Sequence, residues 1–366
     1  MQRKQNIFES EYIIDGVNEG LTPARLLQPF CPSAGCETSS ACEPVVDESV
    51  DPTPVTLSYN PEKIRKYLSL TEKTAREFPT IFAGAYTRIK MARALIDALW
   101  NKGHFRLEDL SLKALWRWND WKMGNMAAFY DSVMQAADCL DALSLTLRSY
   151  KSQHTDGELD IEFQPVTGER PAQDEDLAED SKAVRLGTRR SCPDRLAADL
   201  QSWIIFIPFD TADFHLGGSL LNQALGISGG GKAPELDDTA YFMDCYEVVR
   251  EFVEDGILLS GSTVGDGGLI ATLDRMTSDG VGALADVSNL LRAYPGCDLV
   301  HALFAEVPGV VIQIRDSDYD YIDAELLLQD VAYFPLGHPT SKTRKVEIRS
   351  DSGSQIQNIL DSLISR

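Results

Sequence analysis

The stretch ILLSGSTVGDGGL, residues 257–269, sets an apolar run directly against a glycine cluster, and the rest of the chain is read outward from it. Ile257–Thr263 has the length and apolar content of a buried strand. Gly265-Asp266-Gly267-Gly268 follows at once, and LIATLDRM continues it at helical spacing. A strand that turns through glycines into a helix offers backbone N–H groups and the positive end of a helix dipole to an anion. The same order stands upstream, where WIIFIPF (203–209) reads as a strand and Gly217-Gly218-Ser219 opens the helical LLNQAL. One Gly-Gly pair is common in tight turns; two strand-to-helix turns in one α/β region are more specific.

Further elements extend this region in both directions. Residues 237–255 read as a helix, GVVIQI (309–314) as a strand, YIDAELLL (321–328) as a helix and RKVEI (344–348) as a late strand. Ile356, Ile359, Leu360 and Leu363 predict a C-terminal helix over 351–366. On the N-terminal side, YTRIKMARALIDALW (86–100) is an amphipathic helix with Ile89, Ala92, Leu95, Ile96 and Leu99 on one face. Arg88, Lys90, Arg93 and Asp97 are expected to decorate its other side, and Gly103 to stop it. LEDLSLKALWRW (107–118) has strand content, 125–143 reads as a helix, and LSLTLRSY (143–150) alternates as a strand does.

The expected fold class is α/β (α+β): a mixed sheet with packed helices at 201–350, preceded by a partial, helix-rich domain at 55–155. Residues 1–54 read as a disordered acidic leader, because Pro, Ser and acid replace hydrophobic periodicity. Residues 156–200, with Asp174, Glu175, Asp176, Glu179 and Asp180 in one block, read as a charged linker or loop.

Composition narrows the function. The 366 residues allow about two domains, and 43% hydrophobic residues supply a core. Thirty-four basic against 56 acidic residues give a net charge of −22, with a pI near 4.6. Such a chain repels phosphate backbones and anionic lipid, so neither nucleic acid nor membrane is expected as a partner. No apolar run reaches the roughly 18 residues of a membrane span, and the first residues carry no signal-peptide core. Seven cysteines without a C-x-x-C pair suit reduced thiols, and a cytoplasmic location is the expectation. Five dispersed histidines form no metal-ligand pattern. Gly226–Ala233 nearly spells a phosphate loop, but it follows a helix and Ala233 lacks the hydroxyl that would hold Mg²⁺, so it reads as a connecting loop. Trp116, Trp118 and Trp121 read as core and interface, and Tyr319-Asp320-Tyr321 as an ordinary helix start.

Three motifs in order carry a resemblance. They are Leu216-Gly217-Gly218-Ser219-Leu220-Leu221-Asn222-Gln223, then Ser260 to Leu269, then Leu303-Phe304-Ala305-Glu306-Val307-Pro308-Gly309-Val310-Val311-Ile312-Gln313-Ile314. Together the chain resembles the second synthetase half of long-form phosphoribosylformylglycinamidine (FGAM) synthase, with the fold of aminoimidazole ribonucleotide synthetase. The likeness is strong over 203–348 and fainter back to about residue 88. It also extends to gammaherpesvirus tegument proteins related to that synthase, which would place the chain in the nucleus or virion tegument if viral.

The resemblance implies ATP or ADP with Mg²⁺ as ligands, and a nucleotide or phosphate contact at Gly217, Gly218, Ser219, Asp266, Gly267, Gly268 and Lys151. The departures speak against a working site. Where the family carries Gly-Glu-Ala-Leu-x-Asn, this chain has Ala92-Arg93-Ala94-Leu95-Ile96-Asp97; its His-Asp pair is Ser262-Thr263; its Gly-Lys-Asp-Ser is Tyr150-Lys151-Ser152-Gln153; and its Ser-Ala-Asn-Trp-Met is Lys113-Ala114-Leu115-Trp116-Arg117. Arg93 reverses a metal carboxylate, and two like charges 4 Å apart cost about 4 kcal/mol at an effective dielectric constant of about 20. Arg93, Asp97 and Thr263 therefore mark an eroded metal position, and no catalytic residue, metal or cofactor is expected. The family's first synthetase half and glutaminase fall outside the resemblance. The chain is thus expected to be silent alone and to act through a protein partner, whether a host protein or the missing half. The alternatives are a split subunit of an active synthase and a decayed gene product, which the persistent core periodicity opposes.

Overall fold

The computed structural model describes residues 6–31, 61–102, 105–119, 122, 124–167, 190–227, 229, 231–341 and 345–350. The expected C-terminal helix at 351–366, residues 32–54 of the leader, the acidic block at 174–180, Gly103 and Trp121 lie outside the described residues. A small hairpin, β1 (Ile13–Ile14) and β2 (Val17–Asn18), precedes α1 (Pro23–Leu27) and α2 (Pro61–Thr71). The first layer comprises α3 (Ala83–Leu99), β3 (Leu110–Trp118), α4 (Asn125–Ala142), β4 (Thr146–His154) and β5 (Asp160–Thr167). The second layer runs β6 (Trp203–Pro208), α5 (Leu220–Ala224), α6 (Thr239–Glu254), β7 (Leu258–Thr263), α7 (Gly268–Met276), β8 (Gly282–Asp286) and α8 (Ser288–Ala293). It ends with α9 (Leu299–Phe304), β9 (Gly309–Ile314), α10 (Tyr319–Leu328), β10 (Phe334–Thr340) and β11 (Val346–Arg349).

The strands form two main sheets. Three strands in the order β4-β3-β5 make one, with β3 parallel to β4 and antiparallel to β5. Six strands in the order β11-β8-β10-β6-β9-β7 make the other, where only the β11–β8 pair is parallel. Because side chains alternate along a strand, β6 serves two cores. Ile205 and Ile207 join a cluster with α3, α4, α6 and the small sheet, whereas Ile204 and Phe206 join one with α7 and α9. Strand β9 is buried along its whole length.

Helix α3 lies between the layers, against α4 and β5 on one side and α6, β7 and β9 on the other. Its apolar stripe is buried as expected, since Ile89, Ala92, Leu95 and Ile96 have no exposed surface. Of its charged residues, Asp97 is exposed as expected, but the three cations do not decorate a solvated side. The Arg93 side chain is only 13% exposed, and Arg88 and Lys90 are also largely covered. With packing partners on both flanks, α3 leaves these three cations largely covered.

Two sequence expectations are corrected. Residues 6–31 are not a disordered leader: Phe8, Tyr12 and Leu27 are buried, and the Phe8 ring meets Trp116, Phe129 and Tyr150 edge-on at 5.6, 5.2 and 5.0 Å. These few anchors bury only against a surface built by distant strands, so no local periodicity announces them. The charged linker gives up both ends: 160–167 is β5, and Cys192 and Leu196 are buried, with the Leu196 N–H donating to the Met276 carbonyl. Strand β10, which no sequence pattern announced, sits in the middle of the large sheet although it contains Pro335 and Pro339. A proline lacks the ladder N–H and argues against a central strand; here a register shift between Pro335 and Gly337 absorbs the first one.

Candidate functional site

Both glycine turns form where the sequence places them, one before α5 and one before α7. In the first, Gly218 adopts a φ of +70°, and a Cβ there would lie 2.8 Å from Tyr86, 2.9 Å from Pro79 and 3.0 Å from Phe82. The Gly217 N–H donates to the Lys232 carbonyl at 2.8 Å and the Ser219 N–H to the Leu216 carbonyl at 3.0 Å. The Ser219 hydroxyl caps α5 by accepting from the Asn222 N–H. In the second turn, the Gly268 N–H donates to the Gly265 carbonyl at 3.0 Å.

The two turns meet at one side chain. Glu306, with no exposed surface, accepts the Leu220 N–H at 2.8 Å and the Gly267 N–H at 3.0 Å, both on Oε1. Arg76 donates to the same carboxylate at 3.0 Å, and the Tyr86 hydroxyl donates to its Oε2 at 3.1 Å. The Arg76 guanidinium stacks 4.7 Å from the Tyr86 ring centroid. Burial, and then the Glu306 charge, push the Tyr86 phenol well above its ordinary pKa. The donors that a helix N-terminus and a glycine turn would offer to a phosphate are engaged here by the protein's own carboxylate.

Arg93 closes the site from α3. Its Nη1 donates to Asp266 Oδ1 at 2.8 Å, and its Nη2 donates to the Glu306 carbonyl at 3.2 Å and lies 3.8 Å from Glu306 Oε2. Arg275 donates to the Asp266 carbonyl at 3.1 Å. Burial alone would raise the Asp266 carboxyl, but Arg93, Arg76 and Lys90 outweigh it and hold its pKa below the ordinary aspartate value. Beside this network, the Thr263 hydroxyl donates to Asp97, and the Trp100 indole N–H donates to Thr263 Oγ1 at 2.8 Å. Arg190 stacks 5.6 Å from the Trp100 ring centroid and donates to the Gly261 carbonyl at 2.7 Å.

The structure thus brings Gly217, Gly218, Ser219, Asp266, Gly267, Gly268 and Arg93 around one centre and places Asp97 and Thr263 in mutual contact. Lys151 belongs to β4 of the other sheet, where its side chain is exposed. Ser152, standing where the resembled family has an acid, keeps a buried hydroxyl without a hydrogen-bond partner. The Gly226–Ala233 stretch leads into no helix before α6, and the Lys232 carbonyl serves the first turn instead. Sequence reasoning quoted Glu306 within a motif without giving it a role, and it missed Arg76, Tyr86 and Arg275. The motif glutamate was the available signal; nothing near Arg76 announces a contact 230 residues away.

These residues do not fit a magnesium–nucleotide complex. Mg²⁺ takes hard oxygen ligands and several waters in an octahedral arrangement. Here a guanidinium stands between the two carboxylates, and Thr263 and Asp97 satisfy each other. Among the described residues, no group of three or more His, Cys, Asp or Glu could hold a metal ion, and no helix is long and apolar enough to cross a membrane.

A mixed six-stranded sheet carrying two strand-glycine-helix turns, joined to a smaller layer through one buried helix, defines an aminoimidazole ribonucleotide synthetase-like fold. The structure of T. maritima PurL complexed with FGAR shares it, with a TM-score of 0.50, 10% sequence identity, and coverage of 75% of this chain and 42% of that one. Within this class, the chain is similar to phosphoribosylformylglycinamidine synthase. It is 24% identical over 280 residues to the Arabidopsis thaliana protein "Probable phosphoribosylformylglycinamidine synthase, chloroplastic/mitochondrial", a match covering 73% of this chain and 18% of that protein. It is also 29% identical over 138 residues, 37% of this chain, to "Probable membrane antigen 3" of Saimiriine herpesvirus 2 (strain 11), of which it spans 11%. The chain therefore spans less than a fifth of the length of either relative. No family model matches the chain.

Proposed function

We propose that this chain is a non-catalytic, synthase-like binding module, a tegument-type protein that acts by engaging a protein partner rather than by turning over a nucleotide. The observation that supports this reading is the Arg93 guanidinium held between Asp266 and Glu306, with one backbone N–H from each turn already engaged by Glu306. ATP or ADP brought to this centre would have to displace the Glu306 carboxylate from Arg76, Tyr86 and two backbone N–H groups. Removing such a buried charge from its partners costs about 3–5 kcal/mol. The acidic surface and the similarity to the herpesvirus protein support a partner-binding role and a viral setting.

Titration calorimetry with ATP and ADP, each with and without Mg²⁺, tests the proposal. The expected outcome is no magnesium-dependent heat at micromolar nucleotide; a micromolar, magnesium-dependent Kd overturns it. The second reading, a portion of an ATP-dependent synthase, is supported by the 24% identity to the plant protein and the retained turn glycines, and it predicts the opposite calorimetric result.

A further inference from the structure

We propose that Arg93 is a built-in cation: its guanidinium ties the second glycine turn to the Glu306 segment where a divalent ion would otherwise do so, and the fold closes without metal. This rests on the reading of the site as closed, and it adds a role for the residue that closes it.

Three oxygens converge on the one planar group. Asp266 Oδ1 comes from the turn before α7, and the Glu306 carbonyl and Oε2 come from the segment before β9, at 2.8, 3.2 and 3.8 Å. Two carboxylates and a carbonyl are the hard-oxygen set that a divalent cation takes. An arginine supplies one positive charge where such an ion supplies two, and Arg76 on Glu306 provides the second. Arg76 and Arg93 cancel the Asp266 and Glu306 carboxylates with no ion present, and Arg275 adds a further positive charge at the Asp266 carbonyl rather than at its carboxylate. The planar fork also suits oxygens spread over two segments better than an ammonium would. Because α3 lies between the layers, this clasp fixes the helix against α7 and β9 at once. Arg93→Glu would turn this cluster into three converging acids.

Thermal unfolding of the full chain tests the proposal, run in EDTA, in millimolar Mg²⁺ and in millimolar Mn²⁺. The wild type is expected to melt at one temperature in all three. Arg93→Met is expected to melt lower by about 5 °C or more in all three. Arg93→Glu is expected to melt lower still in EDTA and to recover by several degrees in Mn²⁺ or Mg²⁺. If Arg93→Glu does not fold in EDTA, refolding it from denaturant in Mn²⁺ and counting bound Mn²⁺ by electron paramagnetic resonance decides the matter, with about one ion per chain expected. The proposal is overturned if the wild type gains stability from Mg²⁺, if Arg93→Met melts like the wild type, or if Arg93→Glu neither gains from nor binds either ion. A wild type that gains from Mg²⁺ yet binds no nucleotide would sink this inference alone; magnesium-dependent nucleotide binding would sink the functional reading.

Discussion

The two glycine turns use one backbone device and are closed by different forces. Both follow a strand, both carry glycines with φ between +70° and +81°, and both end on Glu306 Oε1. The first is roofed by apolar and aromatic groups, Pro79, Phe82 and Tyr86, with its amides tied locally. The second is flanked by charge, with Arg93 and Arg275 gripping Asp266. A shared turn geometry therefore says little about a ligand. What occupies the donors decides, and here side chains cover one turn while neighbouring backbone and charge close the other.

Removing the shared centre should have the largest effect. Glu306→Ala orphans Arg76 and two backbone N–H groups and leaves the Tyr86 hydroxyl only the Gly217 carbonyl, and a loss of about 3–5 kcal/mol is expected in urea unfolding. A loss under 1 kcal/mol would show that the turns are held by something other than this carboxylate. Next comes a direct contrast of the turns. Gly268→Ala places a Cβ 2.7–2.8 Å from backbone atoms of Leu303, Phe304 and Ala305 at a φ of +72°. Backbone cannot yield, and about 3 kcal/mol is expected; Gly218→Ala meets side chains that can shift in part, and about 2 kcal/mol is expected. Equal losses in matched denaturation curves would erase the distinction.

The smallest effect is electrostatic and belongs to the second turn alone. The folded Asp266 carboxyl titrates below its ordinary value, so its pairing stabilises the fold above about pH 4 and is lost as pH falls through the folded pKa. Asp266→Asn should melt below the wild type at pH 7, and the gap should close only in that acid range. A gap that closed above pH 5 would contradict the assignment.

Much of this was legible in the sequence, for stated reasons. Strands β6, β7 and β9 and helices α3, α4 and α6 announce themselves because burial on a regular element imposes its period on the residues. The glycines of both turns were legible because few other residues tolerate that backbone. Strand β10 was hidden by Pro335 and Pro339, whose usual meaning is reversed by a local register shift. The polarity of the site was hidden as well. Periodicity alone read Arg93 as a surface cation and only the resemblance put it at the site, while Glu306 gained its meaning only from Arg76 and Tyr86, more than 200 residues upstream. A charge in a sequence has a sign but no dielectric; the fold supplies that.

One feature outside the turns reaches further. Phe8 is wedged among Trp116, Phe129 and Tyr150, so the opening segment works as a stopper pushed into the small layer from outside. Trimming the chain at the apparent end of its Pro- and Ser-rich stretch would pull that stopper and leave a ring-sized void beneath the indole of Trp116. A void of that kind costs about 3–5 kcal/mol. The packed body therefore includes residues 6–31, which composition alone sets apart from it.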